Sequence, residues 1–347
     1  MKKVKIFSII CLLTVLCCSC GIKSNSTTIN NEQDQKQENV TENEVEPEAK
    51  KVQIVDTESN LRPIAVMINT HKDARPQAGL SSAYIVYEIM VEGGITRMMA
   101  LYTQDFNESK IGSIRSSRHN YLDYVMESDA IYVHWGGSYV AYDDLEKLKL
   151  DRIDGMVYGS KYFVTDSSLK RSLEHTRFSS SALIKEGIEK LKLRTTTDKG
   201  WLLKYTTDPV DLSVKENSKP ADSITIKYSN YQTVGYEYNK EEQTYYRSMS
   251  GAKHVDLVTG EQYKFKNIIA YAIQYDSYQG TKLRDLKNIG SGEGVYITNG
   301  YAVPIKWSKK DRSSKTVYTY MDGSEIEFSD GNTFIQIYPK TGSMTIK

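Results

Sequence analysis

Cysteine is nearly absent from this chain: four residues among 347, at positions 11, 17, 18 and 20. Residues 61–347 hold none. That excludes disulfides, thiolate metal sites and a cysteine nucleophile from the body of the protein. An excess of one charge is missing too. Lys and Arg number 45 against 44 Asp and Glu, for a net charge of +1. No basic field is available to grip a phosphate backbone, so no nucleic-acid partner is expected. No apolar run reaches the roughly 20 residues of a membrane-spanning helix. The motifs H-E-x-x-H, the P-loop and G-x-S-x-G are absent. The five histidines (71, 119, 134, 175 and 254) are scattered. Neither a metal nor a cofactor is expected.

What is present divides the chain. Lys2, Lys3 and Lys5 precede an apolar run from Ile6 to about Cys18, a basic n-region and an h-region. Ser19-Cys20-Gly21 closes that run and resembles a bacterial lipobox. The resemblance implies a signal peptide over residues 1–19, cleavage before Cys20, and a lipid on its thiol. Cys17 stands where leucine is usual, and Cys18 is a rival lipidation site. Residues 21–60 carry 4 Lys and 9 acids and no aromatic residue. Such a segment buries too little to offset its chain entropy, so residues 20–60 read as a lipidated cysteine and disordered tether. A flexible chain of that length reaches roughly 35 Å r.m.s..

The body follows. Residues 61–195 alternate short apolar runs with helical patterns, predicting an N-terminal α/β domain. Strands are expected at 63–68, 83–91, 96–102 and 129–135. Helices are expected around 121–126, over 138–150 with Ser138 as N-cap, and over 180–193. Residues 196–221, with Pro209 and Pro220, read as a connection. Residues 222–347 lose the helical period and show repeated short strands, predicting a mostly antiparallel β domain. Asn299-Gly300 is a hairpin signal, and Asp322-Gly323 and Asp330-Gly331 are taken as turns of the same kind. Gly290-Ser291-Gly292-Glu293-Gly294 precedes a strand and reads as a loop, not a phosphate cradle. The chain has 26 Tyr against 7 Phe. The excess suits strand faces on which rings pack and hydroxyls stay wet. The fold class expected is α+β.

One polar constellation could carry chemistry. Glu88 and Glu92 fall in phase on one expected strand and face one side. Gly93-Gly94 follows, then Arg97. Arg115 and Arg118 precede a helix. His134, Gly136 and Gly137 make a strand end and a turn whose free N–H groups suit an anion. Together they suit a carboxylate or phosphate. The same residues could instead pair off in a structural network. Ser167-Ser168-Leu169-Lys170 fits S-x-x-K, but its partner motifs are missing and it reads as coincidence.

Arg62–Tyr102, Ile111–Tyr124, Ala130–Ser138 and Ile153–Gly159, with GVYITNGYAVPIKWSK and DGSEIEFSDGNTFIQIYP near the C-terminus, resemble the YerB-like lipoprotein family of Gram-positive bacteria. The resemblance spans nearly all of residues 61–347. It implies an α/β domain and a β domain behind a lipid anchor, and it carries no reaction or cofactor. The chain departs from the family pattern at Ser113 (usually Pro), Tyr84 (often acidic) and His119-Asn120 (usually Arg-Pro). The leading expectation is an extracytoplasmic envelope protein held on the membrane by its lipid. It would bind a cell-wall polymer or an envelope protein. The alternative is an envelope hydrolase or transferase acting on glycan or phosphodiester bonds, with Glu88 or Glu92 and His134 as acid and base. Labelling with radioactive palmitate checks the anchor: Cys20→Ser abolishes incorporation, whereas Cys18→Ser leaves it intact.

Overall fold

The computed structural model describes residues 50–347. The expected signal peptide, Cys20 and most of the tether lie outside the described residues. The apolar runs near the start become β1 (Ile64–Asn69), β2 (Ile85–Met90) and β3 (Thr96–Tyr102), all buried along their whole length. β4 (Ile131–His134) and β5 (Arg152–Asp154) follow β1 in parallel. Three ten-residue helices accompany them: α1 (His119–Ser128), α2 (Tyr139–Leu148) and α3 (Ser181–Lys190). Ser138 caps α2 by accepting from the Ala141 N–H, and Ser180 caps α3 through the Leu183 N–H. The longer strands of the second part are β6 (Ser223–Lys227), β7 (Thr233–Asn239), β8 (Thr244–Met249), β9 (Asn267–Ile273), β10 (Gly290–Thr298), β11 (Tyr301–Lys309), β12 (Val317–Tyr320), β13 (Thr333–Pro339) and β14 (Ser343–Ile346).

The two parts differ in sequence texture but share one sheet of eleven strands. Its central order is β11-β10-β9-β13-β2-β3-β1-β4-β5. β13 pairs in parallel with both β9 and β2, and so joins the expected halves. The open edge of β2 explains the join. Its backbone groups are buried, and a strand from the far end of the chain satisfies them. Most other pairings are antiparallel, as expected. A second, antiparallel sheet runs β14-β6-β7-β8.

Both faces of the main sheet are covered, so its central strands are apolar on both sides. Val66, Val86, Ala100, Ala270 and Phe334 face the second sheet and pack with Ile224, Ile226, Tyr236 and Tyr245. Met67, Tyr87, Leu101, Ile269 and Ile335 face the other way, onto Tyr121, Leu122 and Val125 of α1 and Leu145 of α2.

Three expectations are corrected. Gly290–Gly294 is not a loop. It is the first half of β10, paired with Lys309–Ile305 of β11. A Cβ at Gly292 would lie 2.8 Å from the Trp307 indole nitrogen, so the glycine makes room for that ring. Asn299-Gly300 does turn β10 into β11, but Asp330-Gly331 makes no hairpin. It carries the chain from Glu327–Ser329, paired with Lys204–Thr206, into β13 of the main sheet. Finally, many tyrosine hydroxyls are dry. Tyr87, Tyr121, Tyr228, Tyr263 and Tyr296 are at most 2% exposed. Each finds an internal partner: Tyr87 donates to Glu127 at 2.7 Å, and Tyr296 to Asn267 at 2.8 Å. Without cysteine, such hydroxyls tie the interior together.

The strongest tie lies between the sheets. Glu88 on β2 and Arg247 on β8 are both fully buried, and the guanidinium meets Glu88 Oε2 at 2.6 Å. Glu88 also accepts from Thr96 at 2.6 Å, Gln232 at 3.1 Å and Gln336 at 3.2 Å. Arg247 reaches His254 Nδ1 at 2.5 Å, and His254 Nε2 reaches Gln77 at 2.8 Å. A buried pair is strongly destabilising when one partner is removed and near neutral when both are. Arg247→Met is therefore expected to cost about 3–5 kcal/mol by urea unfolding. The double variant Arg247→Met/Glu88→Leu should recover most of it. Equal stability of the single variant and the parent would overturn this account.

Candidate functional site

β1, β4 and β5 are parallel and end along one edge of the sheet, where open α/β sheets commonly bind ligands. The segment Ser113–Arg118 is wedged across these ends. Ser113 O accepts from Asn69 at 2.9 Å, Arg115 donates to Met67 O at 3.0 Å, and Trp135 donates to Arg115 O at 3.1 Å. Ser117 then donates to Gly136 O at 2.8 Å, and Ser138 to Ser117 O at 3.2 Å. Arg118 and Ser138, the N-caps of α1 and α2, are thereby held side by side. Both helices open at this edge with their positive ends.

Three guanidiniums gather there. Arg118 donates through Nε to Glu92 Oε1 at 2.7 Å and through Nη1 to Ser117 O at 2.8 Å. Burial works to raise the Glu92 pKa, but the Arg118 hydrogen bond and charge outweigh it and hold the carboxyl below its usual range. Arg115 pairs with Glu174 at 2.9 Å, and its buried Nε has no acceptor. Arg97 is 5% exposed and donates from Nη1 to Ser116 O. Among the described residues no carboxylate lies within ion-pair distance of it, because Glu92 and Glu174 are turned to Arg118 and Arg115. Burial, then the charges of Arg118 and Arg115, push its pKa down to about 9.

The structure thus brings together Glu92, Arg97, Arg115 and Arg118, but not all of the expected set. Glu88 points between the two sheets to Arg247. The in-phase alternation with Glu92 breaks because β2 ends at Met90 and Glu92 sits in the following turn. His134 is fully buried. Its Nδ1 donates to Gly136 O at 2.8 Å, and its Nε2 is enclosed without a partner. Asp154 accepts from the N–H groups of Gly136 and Met156, both at 2.9 Å. His134 and Asp154 therefore shape the Gly136-Gly137 turn from within. Gly136 has φ 75°, a conformation that favours glycine. A Cβ on Gly137 would touch Tyr142 at 3.3 Å.

The sequence reading missed Arg247. A signal was there: Arg247 alternates in phase with Tyr245 and Met249 on β8, a charge at an inward position. It also left His71, Asp73 and His175 unjoined, although they bring one ligand atom each within 4.8 Å of one another. The two imidazoles stack at 4.9 Å with only 13° between their planes. A metal lies in the plane of each imidazole that binds it, so two stacked rings do not aim at one ion. The Nδ1 atoms are also engaged, with Asp73 N at 3.3 Å and Asn69 Nδ2 at 2.9 Å.

Fold and edge together define an α+β protein with a cluster of three arginines at the ends of its parallel strands. Family models match it twice: "Protein of unknown function (DUF3048) N-terminal domain" over residues 52–194 and the DUF3048 C-terminal domain over residues 224–335. The chain is 30% identical over 292 residues to "Putative lipoprotein YerB" of Bacillus subtilis (strain 168), covering 82% of this chain and 83% of that protein. The crystal structure of YerB protein from Bacillus subtilis superposes with a TM-score of 0.72 at 27% identity, over 82% of this chain and 94% of that one. The chain belongs to the YerB-like, DUF3048 family. Among the described residues no helix is long and apolar enough to cross a membrane.

Burial lowers the pKa of His134, His175 and His119, and lowers that of His254 furthest below the ordinary value of 6.5. Each takes up its proton at a lower pH in the folded chain than in the unfolded one. Stability is thus full above pH 6.5 and falls as the pH drops below it. From pH 6.5 to 5, one such histidine removes at most about 2 kcal/mol. Urea midpoints measured across this range should fall steeply for the parent and less steeply for His254→Gln. Parallel slopes would sink the assignment.

Proposed function

We propose that the protein is a lipid-anchored, extracytoplasmic protein of the cell envelope. It binds an anionic envelope component, a wall polymer or the acidic surface of an envelope partner, at the cluster of Arg97, Arg115 and Arg118. One observation carries the reading: Arg97 is a buried cation with no counter-ion among the described residues. Taking a guanidinium out of water without a partner costs several kcal/mol. A bound carboxylate or phosphate would compensate that charge. The N-termini of α1 and α2 reinforce the same sign, and planar guanidiniums suit bidentate contact with either anion. The similarity to a protein named as a lipoprotein supports the anchored location.

The hydrolase or transferase alternative has less behind it. Glu88 is committed to Arg247, Glu92 to Arg118, and His134 Nδ1 to Gly136.

Arg97→Met separates a binding role from a structural one. If Arg97 waits for an anion, the variant loses at least tenfold in affinity for purified anionic wall polymer and melts at a higher temperature than the parent. A lower melting temperature with unchanged affinity would overturn the proposal. Binding by the parent should also weaken as salt is raised.

A further inference from the structure

Near the Arg97 cluster lies a cleft of about 440 Å³. It opens at the seam between the two sheets. Its charged lining residues are Lys227 and Arg284, and no carboxylate lines it. The buried Arg284 Nε has no acceptor. Ser229, Asn230 and Ser343 add short polar side chains to the wall. Such a lining matches a ligand that carries both negative charge and hydroxyl groups.

Two connections tie this cleft to the cluster. Gly94 forms part of its wall and closes the turn that begins with Glu92, the partner of Arg118. Ser229 donates to Gly94 O at 2.6 Å and fixes that turn to the second sheet. On the other side, Asn120 donates to Arg284 O and accepts from Leu286 N at 3.2 Å. Asn120 is two residues beyond Arg118 at the start of α1, a step of at most about 7 Å. The backbone of Arg284 is thereby held against the start of α1, next to Arg118.

We propose that this cleft is a second anion subsite. The ligand is then a polymer with anionic groups at regular intervals, of the polyol-phosphate class, and not a single small anion. The proposal rests on the Arg97 reading for its first subsite. One subsite alone would hold a single repeat weakly. Two in register convert the second contact into an intramolecular one and raise affinity without any new type of contact.

Calorimetry on the full chain in detergent, with glycerol 3-phosphate and a synthetic glycerol-phosphate hexamer as probes, tests this. The hexamer is expected to bind at least 30-fold more tightly than the monomer. Arg284→Ala with Lys227→Ala should remove at least tenfold of that gain and lower the number of monomers bound per chain. Both residues are partly or fully exposed, so the variant is expected to keep its fold, which its melting temperature checks. Equal affinity for the two probes, or a gain that survives the double substitution, overturns the second subsite while the Arg97 site stands. Failure of both probes to bind, or binding indifferent to Arg97→Met, overturns the Arg97 site and this proposal with it.

Discussion

The contact on which the rest depends is the ion pair of Glu88 and Arg247. It sits where the main sheet and the second sheet face each other, with both side chains fully buried. Hydrophobic packing between two sheets is tolerant of sliding, because one apolar contact resembles the next. A carboxylate that must meet one guanidinium, one threonine and two glutamines is not. Gln336, its cross-strand neighbour on β13, also bonds Tyr236 and Tyr228, so a single network spans β2, β13, β7 and β8. Fixing that seam fixes the turn after β2, where Glu92 meets Arg118.

A second buried pair performs a similar task on the opposite face. Lys309 at the end of β11 meets Glu127 of α1 at 2.6 Å, and both side chains are about 1% exposed. Glu127 also accepts from Tyr87 and from Thr316. α1 is thus held at its C-terminal end by the β11 region and at its start by the contacts of Asn120. Its N-terminus is where the positive edge begins. Both buried pairs are closed, whereas Arg97, buried at that edge, has no carboxylate within ion-pair distance among the described residues.

Much of the local structure was legible. The apolar runs at 63–68 and 96–102, the N-caps Ser138 and Ser180, and the Asn299-Gly300 turn follow from patterns with a span of a few residues. The Arg-rich edge was legible in part, since Arg97, Arg115 and Arg118 lie close to strand ends in the sequence itself. What escaped depends on long range. Nothing near Glu88 signals a partner 159 positions away. The same holds for β13 entering beside β2. The glycines of 290–294 misled because glycine usually marks a loop, whereas here the absence of side chains admits the Trp307 ring. Tyrosines read as half-wet proved dry, because their hydroxyls meet carboxylates, amides and carbonyls from distant segments.

The position of β13 bears on how the chain becomes folded at all. Synthesis delivers β1, β2 and β3 early, yet one side of β2 has no partner until residue 339 is available. During that interval the half-made sheet presents an open, apolar edge, the kind of surface that recruits other unfolded chains. The neighbouring strand also has to arrive in parallel register across about 250 residues, a slow search by the usual relation between topology and rate. The N-terminal part is therefore a dependent half, complete only when the end of the chain returns to close it.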